Sequence, residues 1–228
     1  MSTQMADLFD ELQKDVRLAE GLKSCMNCGV CTAICPAAEF FDYDPRVLLN
    51  IIQTKDEEQL IGLMKSDTIW QCGQCMSCKT RCPRGNCPGL VISVLRKISQ
   101  QKGYFTESKL GRQQYAIVKT VGKTLLEYGY CVHPELVKPE LHPEQGPTWE
   151  WVYENRQEVY ERLGANLNGN GAGAMRKIAV ENLNELKAIF DQTGCTELFE
   201  NIESFSKARA GELKIPDMDE YFGHLIND

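Results

Sequence analysis

The chain has 228 residues, 43% of them hydrophobic, and a formal net charge of −7. That length admits one large domain or two small ones with ordinary cores, and the acidic balance excludes a general nucleic-acid binder, which needs a basic face. No apolar run approaches the roughly 20 residues of a membrane-spanning helix, and the N-terminal MSTQMADLFDELQKDVRLAEG has scattered acids and no apolar core before a cleavage site, so a cytoplasmic chain is expected.

Charge is unevenly spread. Residues 1–131 hold 16 basic and 14 acidic side chains, whereas residues 132–228 hold 9 and 18. The acid-rich end is a solvated surface or a face for a basic partner.

Met5, Leu8, Phe9, Leu12, Val16 and Ala19 recur at three- and four-residue steps, which predicts a helix within 5–22. It leads into CMNCGVCTAICP at 25–36, and the same pattern, C-x2-C-x2-C-x3-C-P, returns as CGQCMSCKTRCP at 72–83. Two helices are predicted between these runs. One opens on Asp44 with Pro45 in its first helical position, the other on Asp56 with Glu57 and Glu58 in its first turn, where the helix dipole favours acids.

After the second run, PGLVISVLRKISQQKG reads as a helix with Leu90, Val91, Val94, Leu95 and Ile98 on one side and a stop at Gly103. SKLGRQQYAIVKTVGKTLLEYG is a longer helix weakened by Gly111 and Gly122, and residues 131–147, with four prolines, are irregular. In TWEWVYENRQEVYERLG, Trp149, Val152, Tyr153, Arg156, Tyr160 and Leu163 step along one helical face, either as core or as an interface anchor. The Gly- and Asn-rich stretch near 164–175 is the best candidate for a flexible linker. Two more helices joined at Gly194 follow, then a tail expected to order on contact. No sustained period-two alternation occurs, so the fold class is all-α.

Eleven cysteines without an export signal, eight of them in two tight tetrads, point to metal or redox chemistry rather than a disulfide scaffold. Three cysteines at two-residue gaps curl around one centre, while the fourth, followed by proline, points away; in this run the fourth ligates the other cluster where two are present. The rule gives one [4Fe-4S] site from Cys25, Cys28, Cys31 and Cys82, and a second from Cys72, Cys75, Cys78 and Cys35. Four-cysteine zinc is the structural alternative, but zinc sites come as C-x2-C pairs without a third cysteine in the same turn or a trailing proline. Gly29 and Gly73 stand where a side chain could crowd a cluster, or are ordinary turn glycines. Lys79, Arg81 and Arg84 flank the second tetrad, tuning its potential, meeting an acidic partner, or simply facing water.

Cys87 falls too late for the pattern. Together with Cys131, Cys195, His133, His142 and His224 it is read as structural or incidental. No dinucleotide fingerprint, P-loop or H-E-x-x-H is present, so the chain is expected to move single electrons between other proteins and to hold no catalytic site of its own.

CMNCGVCTAICP, the following FDYDPRVLL, and WQCGQCMSCKTRCPRG resemble the C-subunit family of heterodisulfide reductase over residues 8–100. The resemblance implies an alpha-helical ferredoxin domain over 1–104, as in the cluster domain of succinate dehydrogenase iron–sulfur subunits; the helical C-terminal extension over 105–228 departs from the compact form and is expected to serve partner or self association. It implies a relay between a B-like subunit, with CCG domains and the catalytic clusters, and a flavin-bearing A-like subunit. Only the eight tetrad cysteines inherit a role.

The long extension looks more like C subunits of heterodisulfide-reductase-like complexes of sulfur-oxidising bacteria and archaea, whose pathway uses a lipoate-bearing carrier protein. Three other readings stand beside this one. An iron–sulfur subunit of a quinone-linked respiratory dehydrogenase would reveal itself by its co-purifying partner, a self-sufficient enzyme by turnover alone, and a zinc-held interaction module by its lack of colour.

Overall fold

The computed structural model describes residues 8–227, which form helices, turns and loops and no strand. The chain divides into two compact units, the first running to Gly111 and the second starting at Arg112.

In the first unit the helix predicted within 5–22 is two short ones, α1 (Leu8–Gln13) and α2 (Val16–Gly21). Asp15 breaks the run by turning extended and capping α2, its carboxylate accepting from the Arg17 amide at 3.1 Å. Leu8, Leu12 and Leu18 are buried, Val16 is left 67% exposed, and Met5 lies outside the described residues. Two single-turn helices follow in the first tetrad region, α3 (Val30–Ala33) and α4 (Ala37–Phe40).

The helices between the tetrads form as their caps dictate. Asp44 accepts from the Arg46 amide at 2.8 Å to open α5 (Pro45–Thr54), and Asp56 from the Gln59 amide at 3.0 Å to open α6 (Glu57–Lys65). The short α7 (Ser77–Arg81) lies in the second tetrad, and α8 (Pro88–Gln101) runs through the middle of the unit. Val91, Ile92, Val94, Leu95 and Ile98 of α8 share one core with Leu12, Leu48, Ile52, Leu60 and Met64. A Cβ at Gly21 would fall 2.8 Å from Val91 and 3.0 Å from the Cys87 carbonyl oxygen, so only glycine allows α2 this close to α8.

Beyond it, α9 (Lys109–Ile117) passes through a π-helical turn at Val118–Gly122 into α10 (Lys123–Tyr128). Gly122, a weak point by propensity, is where the Phe199 ring packs: a Cβ there would lie 2.8 Å from it. The predicted 148–164 helix is α11 (Gly146–Glu154) and α12 (Arg156–Arg162), parted at Asn155. Then α13 (Val180–Thr193) and α14 (Cys195–Glu212) turn about Gly194 at φ 77°.

Two segments differ from their sequence reading. Residues 164–175 form a tied loop inside the second unit, with Asn168 and Ala165 joined through Met175 by 3.0 and 2.9 Å backbone bonds and the Asn166 amide donating to the Asn170 and Ala172 carbonyls. Asn166 and Asn168 adopt φ 55°, which asparagine tolerates better than most residues. The tail is a formed helix, α15 (Met218–Asn227), with Tyr221, Phe222 and Leu225 buried and Tyr221 against Tyr115 at 5.8 Å.

The second unit also buries His133 completely, stacked on Tyr128 at 3.9 Å with Nδ1 accepting from the Glu135 amide at 3.3 Å. Burial holds its imidazole below the usual range, against the opposing pull of Glu135. A folded pKa below the unfolded one means that the unfolded chain takes up the proton first, so stability is full above the unfolded value near 6.5 and falls as pH drops below it. The expected result is a lower melting temperature of the second unit at pH 5.5 than at pH 7.5, followed by emission from Trp149 and Trp151. His133→Phe, which keeps the stack, flattens that dependence.

Candidate metal centres

Both tetrads are shaped by the same backbone device. Asn27, between the first two cysteines of its run, has φ 61°, and Gln74 at the matching place has φ 51°; Gly29 and Met76, each just after the second cysteine, have φ 77° and 59°. These left-handed residues curl the chain so that the third cysteine lies in a short helix, Cys31 in α3 and Cys78 in α7. Gly29 serves its backbone, since a Cβ there would touch nothing within 4 Å, and Met76 adopts the same conformation at the matching place at some strain. Gly73 has no left-handed backbone and equally open surroundings among the protein atoms.

Helices α3 and α7 pack against each other, which carries the fourth cysteine of each run to the other tetrad. One cavity is lined by Cys25, Cys28, Cys31 and Cys82, together with Gly29, Arg46, Asn86 and Pro88. The other is lined by Cys35, Cys72, Cys75 and Cys78, together with Tyr43, Gly73, Met76 and Pro88. Pro88 borders both, so the two cavities adjoin at the N-terminal end of α8. The positive end of that 14-residue helix favours anionic groups there.

The first tetrad is braced from α5. Gln53 Oε1 accepts from the Cys25 amide at 2.8 Å, and Asn50 Nδ2 donates to Asn27 Oδ1 at 3.0 Å. Thr32, next to Cys31, donates its hydroxyl to Asp44. Burial pushes the Asp44 carboxyl up, but the bonds from Thr32 and Arg46 outweigh it and hold the group below its usual range.

The second tetrad is braced from α8. Gln74 Nε2 donates to Ser93 Oγ at 2.8 Å, and Arg96 donates to three carbonyls, those of Ile69 (2.8 Å), Trp70 (3.0 Å) and Cys72 (2.7 Å). Its guanidinium also lies 5.3 Å from the centre of the Trp70 ring. None of Asn50, Gln53, Ser93 or Arg96 is singled out by motif. The signal that could have found them is a polar pair three residues apart on each of two helices whose other faces are apolar.

Thiol environments differ within each cavity. Burial pushes Cys31 up and Cys78 up to about 11, with a Gly89 amide bond opposing at Cys78, whereas Ser77 bonds pull Cys75 down. Metal ligation requires thiolates. Each set of four thiols lines one cavity, and the Tyr43 hydroxyl at the second is buried.

Cys87 borders neither cavity. It is 1% exposed, its amide donates to the Gly21 carbonyl at 2.7 Å, and its sulfur lies 3.6 Å from that of Met76, so it fills the joint between α2 and α8. Lys79, Arg81 and Arg84 are solvent-exposed. His142 is buried with Nδ1 2.9 Å from Glu144, and His133 is the stacked residue described above.

Residues 10–86, which contain all eight tetrad cysteines, match the 4Fe-4S dicluster domain. The chain is 31% identical over 208 residues to the C subunit of the ferredoxin:CoB-CoM heterodisulfide reductase of Methanosarcina acetivorans, covering 90% of this chain and 74% of that one. It is 29% identical to an iron–sulfur C subunit of the CoB–CoM heterodisulfide reductase of Methanocaldococcus jannaschii, over 62% of this chain and 72% of that one. A protein of Archaeoglobus profundus, described as like the C subunit of heterodisulfide reductase, is 30% identical over 66% and 73% of the two chains. The first match includes most of the second unit, so a long extension does not set this chain apart from methanogen subunits. With the dicluster domain and these relatives, the cofactors are two [4Fe-4S] clusters. The chain belongs to the C-subunit family of heterodisulfide reductase.

Proposed function

We propose that the chain relays single electrons between a CCG-domain catalytic subunit and a flavin-bearing subunit. One [4Fe-4S] cluster is held by Cys25, Cys28, Cys31 and Cys82, and the other by Cys72, Cys75, Cys78 and Cys35. The observation that carries this reading is the pair of adjoining cavities, each with three cysteines of one tetrad and the fourth of the other. The clusters supply the redox chemistry; the protein's own residues hold them, exclude water and set their relative potentials.

Crossed ligation makes each tetrad structurally dependent on its twin, which fixes the two centres side by side as a relay needs. The second unit is the docking surface, for partners or for a second copy. Trp151 (55%), Leu163 (72%) and Val180 (61%) are exposed there and are available to such a partner.

Sulfur oxidation remains the proposed setting for the complex. Its physical signature is a lipoate-bearing carrier as substrate of the catalytic partner. The test is affinity purification of the full chain from its own cells under anaerobic conditions, followed by stopped-flow mixing of the oxidised complex with the sulfane-bearing lipoate carrier. Co-purification of CCG-domain and flavin-bearing chains, with bleaching of the brown cluster absorption before the flavin is reduced, is expected. Capture of a quinone-reactive membrane dehydrogenase in their place contradicts the reading.

A further inference from the structure

Tyr43 borders the cavity of Cys35, Cys72, Cys75 and Cys78 and is 3% exposed, with a hydroxyl that has no hydrogen-bond partner among the described residues. A buried hydroxyl left unpaired is costly, and such groups in folded proteins nearly always have a partner. The nearest chemistry is sulfur: the Cys72 thiol lies within hydrogen-bonding reach of the phenol, short of good geometry, and Cys35 acts on it electrostatically.

We propose that the Tyr43 hydroxyl donates a hydrogen bond to a sulfur of the cluster at Cys35, Cys72, Cys75 and Cys78, and so makes the second centre the more easily reduced of the two. This rests on the ligation proposed above. An added electron places negative charge on the cluster's sulfurs, so a donor aimed at them stabilises the reduced form more than the oxidised form and raises the potential. Arg96 donates to the Cys72 carbonyl at 2.7 Å, which places a positive charge beside that ligand.

Among the described residues the first cavity has no fully buried hydroxyl: Thr32, beside Cys31, is half-buried and donates to Asp44, and Arg46 and Arg84 line the wall. Asn86 spends its carboxamide on the Lys23 amide at 2.8 Å and the Ser24 carbonyl at 3.3 Å. Arg46 is paired with Asp44 at 2.8 Å, and Arg84 faces solvent, where its charge is screened. Two centres of the same ligand type are therefore made unequal by one buried tyrosine hydroxyl. A single electron added to the chain resides at the second.

Tyr43→Phe in the full chain removes the hydroxyl and little else. Anaerobically reconstituted protein is titrated potentiometrically with electron paramagnetic resonance detection, beside the unmodified chain. The expected result is unchanged iron content, one midpoint moved to more negative potential, and the other unmoved; the mover is the signal that Cys72→Ala abolishes. Replacing Tyr43 by 3-fluorotyrosine, which keeps a more strongly donating hydroxyl, moves the same midpoint positive and serves if the Phe variant does not load. Loaded proteins in which neither replacement shifts a midpoint, or in which both midpoints shift alike, overturn the proposal. Failure of the ligation reading is read separately, as different residual spectra for Cys35→Ala and Cys72→Ala in an otherwise unmodified chain.

Discussion

Cys35→Ala is expected to leave the same residual spectrum as Cys72→Ala, and not that of Cys25→Ala, although Cys35 stands in the first tetrad. Its reciprocal, Cys82→Ala, should resemble Cys25→Ala. Each loses a ligand to one cubane only, so iron should fall from about eight per chain toward about four. The reason lies in the packing of α3 on α7, which delivers each fourth cysteine across to the other cavity. Four variants suffice, and no prior assignment of either signal to a site is required. Pairing of Cys35→Ala with Cys25→Ala would show that each tetrad closes on its own cluster.

Arg96→Leu is the second large effect. It removes three charge-assisted bonds, to the carbonyls of Ile69, Trp70 and Cys72. Bonds to charged groups are worth about 1.5–3 kcal/mol each, and carbonyls left without a donor add to the loss, so a decrease of roughly 3 kcal/mol or more is expected. Against a whole stability of about 5–15 kcal/mol that is a large share. Denaturant midpoints measure the total, and iron retention after mild chelation measures the local part. The second centre should lose iron first, because the clamp fixes the chain entering Cys72. Arg96→Lys should restore little, since an ammonium cannot fork between carbonyls. Wild-type stability and even iron loss from both centres in Arg96→Leu would rule out the clamp.

What was legible in the sequence was what is local. Asp44–Pro45 and Asp56 with two glutamates state where α5 and α6 begin, and the apolar steps of 90–98 mark the buried face of α8. The tetrads were readable because cluster ligation imposes a spacing that few other functions share. Tyr43 and Arg96 were not, because their meaning lies in partners far along the chain; the carbonyls that Arg96 holds are 24 to 27 positions away.

Local composition misled in three places. The apolar steps within 5–22 continue past Asp15, but a carboxylate that can both cap α2 and pair with Arg17 and Lys97, at 2.7 and 3.2 Å, favours a break. The asparagines near 166 look like flexible chain, yet the tolerance for left-handed backbone that makes asparagine common in turns lets them tie the loop down. At the C-terminal end, Tyr221, Phe222 and Leu225 recur at helical spacing, and burying them outweighs the tail's weak intrinsic signal.

That the chain holds two cubanes side by side is tested most directly by metal analysis and electron paramagnetic resonance of the anaerobically reconstituted, reduced chain. About eight irons with matching sulfide, and a spectrum split by interaction between two neighbouring reduced centres, are predicted. Stoichiometric zinc without iron, or two signals that show no mutual interaction when both centres are reduced, would contradict it.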